Sequence, residues 1–395
     1  MASTQPLKNK AGEIYAYQIQ VYRGRESSGK KLKPYSMVWE IPAGWKSENK
    51  IKKGLAVAAA EFEAKCKSGA VPVEKKTFEQ YAEYVLDLRD RDKKHRTVFR
   101  YRQLLERILP EIGHLKLSEI TPEHLNALYL KMGQKGQNKR TGGGLAPQTI
   151  LHHHRFIHSV LAQAVKEGHL QNNVCDRATP PEVPKHEAEF FELEEVLAIS
   201  KALQEAPIKW QAIVNLLVDT GARRGEIAGL KWKSVDFKNN EIIIENNLQY
   251  TSERGLYDET PKNGEDRIIS IAPEVMALLK RYRKEQAKER LQLGTYWKET
   301  GYCFTRNDGL PMHVDSINNW LREFSQVNGL PHIHPHKFRH TQASLLYAVN
   351  IDPVTISKRL GHSEVSTTQN IYAHLMKGSD RKASQAIEDI LYKKA

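Results

Sequence analysis

Apolar and polar positions alternate from Glu13 to Arg25 (EIYAYQIQVYRGR) and again from Lys31 to Pro42 (KLKPYSMVWEIP), with Gly29 between them. Period-two alternation broken by a glycine turn predicts a small β-hairpin or three-stranded sheet. Ile51 to Cys66 (IKKGLAVAAAEFEAKC) is alanine-rich with helical spacing, and Lys67 to Pro72 ends it. From Thr77 to Asn173 apolar residues recur every third or fourth position in FEQYAEYVLDL, TVFRYRQLLERILPEIG, SEITPEHLNALYLKM and PQTILHHHRFIHSVLAQAVKEGH, the pattern of a helical bundle. Thr179 to Pro184 is extended and proline-stiffened, as linkers are. Beyond it the pattern is mixed: helices at Leu193–Glu205 and Trp210–Asp219, short strands at Asn240–Asn247 and Arg267–Ala272, then helices.

The expected fold class is therefore multidomain α+β. Residues 1–75 form a small β-rich N-terminal domain, 76–178 a helical bundle, and 179–395 a mainly helical domain with a small antiparallel β-sheet.

Composition supports packed cores: 40% of the 395 residues are hydrophobic and 27% charged, too apolar for a disordered chain. No apolar run reaches the ~20 residues needed to cross a bilayer, and the N-terminus lacks a signal-peptide core, so the expected location is the cytoplasm, without membrane attachment. Cys66, Cys175 and Cys303 are far apart and form no CxxC pair, which fits reduced thiols. The net charge of +13 favours a polyanionic partner, because each phosphate neutralised by Lys or Arg releases a counterion. Residues 1–75 carry 14 basic and 7 acidic side chains, about half of the whole excess, which suits a DNA-binding arm better than a solvated face.

Two local features invite chemical readings that their surroundings do not support. Gly133 to Gly144 (GQKGQNKRTGGG) lacks the GK[ST] ending of a phosphate loop and reads as a flexible basic loop. His152, His153, His154 and His158 include an i, i+4 pair, but no HExxH and no third ligand accompany them. Polar helix positions facing a phosphate backbone are the better reading, and no metal is expected.

The chemistry concentrates in Thr220 to Ile227 (TGARRGEI), the turn Lys262-Asn263-Gly264, the segment Pro335 to Thr341 (PHKFRHT), Leu360-Gly361-His362, and Ser366 to His374 (STTQNIYAH). Arginines, a lysine, histidines and a tyrosine without a carboxylate cluster suit metal-free phosphoryl transfer. Guanidiniums can fork onto non-bridging phosphate oxygens, a phenolic oxygen can attack phosphorus, and imidazole or ammonium groups can move the protons.

These boxes, in this order, resemble the tyrosine recombinase (phage integrase) family. The resemblance implies that Arg223 is the first catalytic arginine, Lys262 the lysine between strands, His336 and Arg339 the HxxR pair, His362 the histidine after Leu-Gly, and Tyr372 the nucleophile. Glu226 matches the acidic residue that buttresses the first arginine. Arg224 is not the matching position, and His340 and His374 are neighbours that support geometry. More weakly, the three-part organisation resembles integrases of conjugative transposons and Gram-positive temperate phages. It implies that 1–75 binds arm sites, that 76–178 grips the core site, and that 179–395 is catalytic.

The implied function is site-specific recombination that integrates and excises a mobile element through a 3′-phosphotyrosyl intermediate. The implied partners are double-stranded DNA, a homotetramer on DNA and an excisionase or DNA-bending accessory protein, with no cofactor. The tail from Met376 to Ala395 is expected to strap onto a neighbouring subunit. The alternatives are a type IB topoisomerase-like enzyme and a catalytically inactive architectural DNA-binding protein.

Overall fold

The computed structural model describes residues 2–9, 12–22, 24, 29, 31–45, 47–67, 76–184, 189–261, 264–361, 364 and 388. The chain divides into two compact units, Met1–Pro184 and Lys185–Ala395.

In the first unit, strands β1 (Ser3–Lys8), β2 (Ile14–Val21) and β3 (Tyr35–Glu40) form an antiparallel sheet in the order β1-β2-β3. Alternation along β2 puts Tyr17, Ile19 and Val21 on one face, opposite Trp39, Met37 and Tyr35 of β3. Phe62 and Cys66 of helix α1 (Glu48–Lys67) close over that face. Of the two sequence-based alternatives, the three-stranded one is found. Its extra strand β1 lies at the sheet edge, where Pro6 needs no ladder donor.

The same unit contains α2 (Phe78–Asp90), α3 (His95–Ile108), α4 (Pro122–Met132) and α5 (Pro147–Lys166). They pack around Phe78, Tyr81, Leu86, Ile108, Leu125, Phe156 and Ile157. Two of the starts are capped by threonine side chains: Thr77 caps α2 in a capping box with Gln80, and Thr121 caps α4 with Pro122 in its first turn. The charged run Arg89 to Arg96 spans the break between α2 and α3.

The second unit opens with α6 (Leu193–Leu203), α7 (Ile208–Thr220) and the short α8 (Arg224–Ala228). Five strands follow: β4 (Val235–Asp236), β5 (Glu241–Ile244), β6 (Asn247–Thr251), β7 (Gly255–Glu259) and β8 (Arg267–Ser270). The other long helices of the described residues are α9 (Pro273–Leu293), α10 (Asp315–Val327), α11 (Pro335–Ala348) and α12 (Pro353–Leu360). β4, β5 and β8 make an antiparallel sheet, while β6 and β7 form a separate hairpin. The core runs through Ile213, Leu217, Ile227, Ile242, Leu279, Phe304, Leu321 and Phe338.

The segment Asn240–Asn247, expected as one strand, is divided. Asn246 accepts from the Asn247 amide and donates to the Gly229 carbonyl and to Asp258, so its side chain replaces the ladder and the chain departs into β6.

Candidate active site

The box TGARRGE folds as a helix stop followed by a helix start. The Thr220 hydroxyl donates to the Leu216 carbonyl and accepts from the Ala222 amide at 3.0 Å. Gly221 caps α7 in the left-handed conformation at φ 58°, and Arg223 then turns extended before α8 begins. This reversal separates the paired arginines. Arg223 turns toward Glu226, whereas Arg224 reaches α10 and pairs with Asp315 at 2.6 Å.

Glu226 is only 1% exposed and is the hub of the site. Its carboxylate accepts from the Arg223 amide at 2.9 Å and from Arg223 Nη1 at 2.8 Å. It also accepts from Arg267 Nη2 at 2.6 Å and Nη1 at 3.3 Å. Burial alone would raise its pKa, but the Arg267 hydrogen bonds and the charges of Arg267 and Arg223 outweigh that and hold it below the usual carboxylate value. Glu226 is therefore an ionised acceptor.

Both arginines also grip the end of α12. Arg223 Nη2 donates to the Gly361 carbonyl at 3.0 Å, and Arg267 Nε to the Arg359 carbonyl at 3.0 Å. The Arg359 side chain turns back to the Asp219 carbonyl at 2.8 Å and the Ser270 carbonyl at 3.1 Å. From α11, Gln342 donates to the Asp219 carbonyl, and Arg339, 2% exposed, is directed at the α7 cap. His336 is exposed in the first turn of α11, one turn from Arg339. Its ring meets His340 edge-on at 5.4 Å. Burial, then His336, Arg339 and His334, push the His340 pKa down to about 4, so this imidazole is neutral near pH 7.

Of the residues selected from sequence, Arg223, Glu226, His336 and Arg339 fall in this region, and His340 supports it. Lys262, His362 and Tyr372 lie outside the described residues, as does the tail from Met376 to Ala395 apart from Glu388. Sequence reasoning missed Arg267, Arg359, Asp219 and Gln342. Arg267 is one of several charged residues in a row with Glu265 and Asp266. Its place two residues before buried Ile269 on β8 was the available signal, because positions i and i+2 of a strand share a face.

Residues 189–378 match the model of the phage integrase family, and residues 77–179 match its SAM-like domain. The tyrosine recombinase XerC-like protein of Caldanaerobacter subterraneus subsp. tengcongensis is 28% identical over 298 residues, 71% of this chain and 74% of that protein. The integrase of Staphylococcus phage L54a is 30% identical over 241 residues, 57% of this chain and 68% of that protein. This chain belongs to the phage integrase family. The fold agrees: the integrase of transposon Tn1549, solved in complex with transposon right end DNA, superposes with a TM-score of 0.65 at 24% identity, covering 78% of this chain and 99% of that one. The chain is thus a site-specific tyrosine recombinase of the integrase type.

In the SAM-like domain of this integrase, the histidine cluster is divided among separate local partners. His153 is buried, donates from Nδ1 to the Thr149 carbonyl at 2.8 Å, and has its pKa lowered chiefly by burial. His154 meets the Tyr129 hydroxyl at 2.8 Å, and His158 meets Asp176 at 2.9 Å. The expectation that all four face a phosphate backbone therefore fails for His153, which helical periodicity turns into the bundle core. Among the described residues no group of His, Cys, Asp and Glu could hold a metal, and no helix is long and apolar enough to cross a membrane. Cys66, Cys175 and Cys303 are buried free thiols, their pKa values raised first by burial, that of Cys175 to about 12.

Proposed function

We propose that this integrase cuts and rejoins double-stranded DNA to integrate and excise a mobile element, with Tyr372 as nucleophile. The phenolic oxygen bonds to the scissile phosphorus as the bond to the 5′-oxygen breaks. This leaves a 3′-phosphotyrosyl link and a 5′-hydroxyl, which later attacks the partner strand's link and frees the tyrosine. Because the phosphoester is conserved in the covalent link, the cycle needs neither ATP nor a metal. Arg223 and Arg339 bind the non-bridging oxygens, Glu226 buttresses Arg223, Lys262 protonates the leaving 5′-oxygen, and His336 and His362 handle the remaining proton transfers.

The observation that carries this reading is the joining of Arg223, Glu226 and Arg339 around the α7 cap, from boxes far apart in sequence. In the same reading, residues 1–75 bind arm sites, 76–178 grip the core site, and 179–395 catalyse. The exposed Arg96, Arg100 and Gln103 of α3, spaced by four and three residues, give the core-binding part a polar, basic stripe for phosphates. Recombination takes place in a homotetramer in the bacterial cytoplasm, on DNA, with an excisionase or DNA-bending protein setting direction.

Trapping on a nicked suicide duplex carrying the element's own ends, in EDTA, tests the chemistry. A DNA-linked peptide containing Tyr372 is expected. Binding of the same duplex without any adduct would favour an architectural protein, and relaxation of supercoils without exchange between sites would favour a topoisomerase.

A further inference from the structure

We propose that Arg267 is a positioning residue for strand cleavage: it shares the Glu226 carboxylate with Arg223, leaving Arg223 a surplus of positive charge for the scissile phosphate, while fixing the end of α12. The inference rests on the reading of Arg223 as a phosphate-binding group.

Arg267 opens β8 opposite Ile244 of β5, and its side chain is 10% exposed, too enclosed to touch a DNA backbone. Its guanidinium is fully directed. Nη1 and Nη2 fork onto both oxygens of Glu226, and Nε takes the Arg359 carbonyl. The guanidinium also lies against Gly361, where an added Cβ would come within 2.9 Å of Nη1. Lysine offers neither the planar fork nor the Nε donor, so the arrangement is specific to arginine.

The consequence is electrostatic. Arg223 alone with Glu226 is a neutral pair, whose dipole attracts a phosphate weakly. Arg223 and Arg267 around one Glu226 leave a net charge of +1, held away from bulk water where it acts strongly on charge developing at phosphorus. The arrangement also ties the backbone immediately before His362 to Arg223, so the two boxes move together.

The test is single-turnover cleavage by the full-length protein, on the suicide duplex that traps the wild type, with DNA affinity and thermal unfolding measured for each variant. Arg267→Met is expected to slow cleavage roughly 100-fold at unchanged DNA affinity. Adding Glu226→Gln returns the cluster to its original net charge, so the double variant should recover at least about tenfold over Arg267→Met, a strong coupling between neighbours. Equal or slower cleavage by the double variant would mean that Arg267 only fills space, and would overturn the proposal. If Arg267→Met does not fold, the same comparison is made with Arg267→Gln, whose uncharged amide keeps an NH2 donor group. Arg223→Ala separates the two failures. Full cleavage by that variant would remove the reading of Arg223, whereas its loss alongside normal cleavage by Arg267→Met would remove only the role of Arg267.

Discussion

Arg339 Nη1 donates to the carbonyl of Gly221 at 2.9 Å, tying a buried side chain of α11 to the backbone two residues ahead of Arg223. The partners are 118 residues apart in sequence, so closing the intervening loop is unfavourable until the helices between them pack. The bond is thus a product of the folded second unit, and the two arginine boxes become neighbours only when that unit is complete.

Gly221 is the weak point of this arrangement. Its φ of 58° is strained for any residue with a side chain, and an alanine Cβ would meet Gln342 Oε1 at 2.3 Å and Leu360 Cδ2 at 2.6 Å. Gly221→Ala should lower stability by roughly 1–3 kcal/mol and slow cleavage as well. Gly168→Ala carries a similar φ of 76° with nothing within 4 Å of its Cβ. It should lose stability without losing cleavage, and equal cleavage by both variants would show that the clash at Gly221 is harmless to the site.

The adjacent arginines should differ sharply. Arg224 pairs with an Asp315 side chain that is 54% exposed, a contact worth less than about 1 kcal/mol. Arg224→Ala is expected to leave cleavage rates nearly unchanged and Arg223→Ala to abolish them, as read by trapping on the suicide duplex. The reverse order would assign the box to the wrong arginine.

His340 gives stability a pH dependence. It takes a proton near its ordinary value of 6.5 in the unfolded chain but only near 4 in the fold. The unfolded state therefore binds more protons between those values, and stability, complete above about 6.5, is lost as the pH falls toward 4. His340→Gln should flatten urea-derived unfolding free energies across that window. An unchanged slope would mean that the imidazole is hydrated in the fold.

Removing residues 1–75 should abolish binding to arm-type sites while cleavage of an isolated core site continues. Gel-shift and cleavage assays on separate arm and core duplexes read the two effects. Retained arm binding would move that role to another part of the chain.

The sequence made the boxes legible because each couples a helix signal to a chemical one. TGARRGE shows a glycine stop, a new helix start and a glutamate three residues after the arginine, and the structure joins them through the Glu226 carboxylate. The partners of those boxes were less visible. Arg267 and Arg359 act through backbone carbonyls and a shared carboxylate, and nothing in their local pattern announces a partner 41 or 140 residues away. The β6–β7 hairpin was missed because the side chain of Asn246 stops the strand without the proline or glycine that usually marks a break. β1 was hidden for another reason: almost every residue in it is exposed, so no alternation forms.

Many ties that assemble the site end on main-chain oxygens, those of Asp219, Gly221, Ser270, Arg359 and Gly361. A carbonyl survives replacement of its own side chain, whereas a guanidinium does not. Mutational tolerance across the site should accordingly be one-sided. Saturation mutagenesis would find the donors nearly invariant and most acceptors permissive, with the two glycines constrained by their backbone conformation rather than by the bonds they accept.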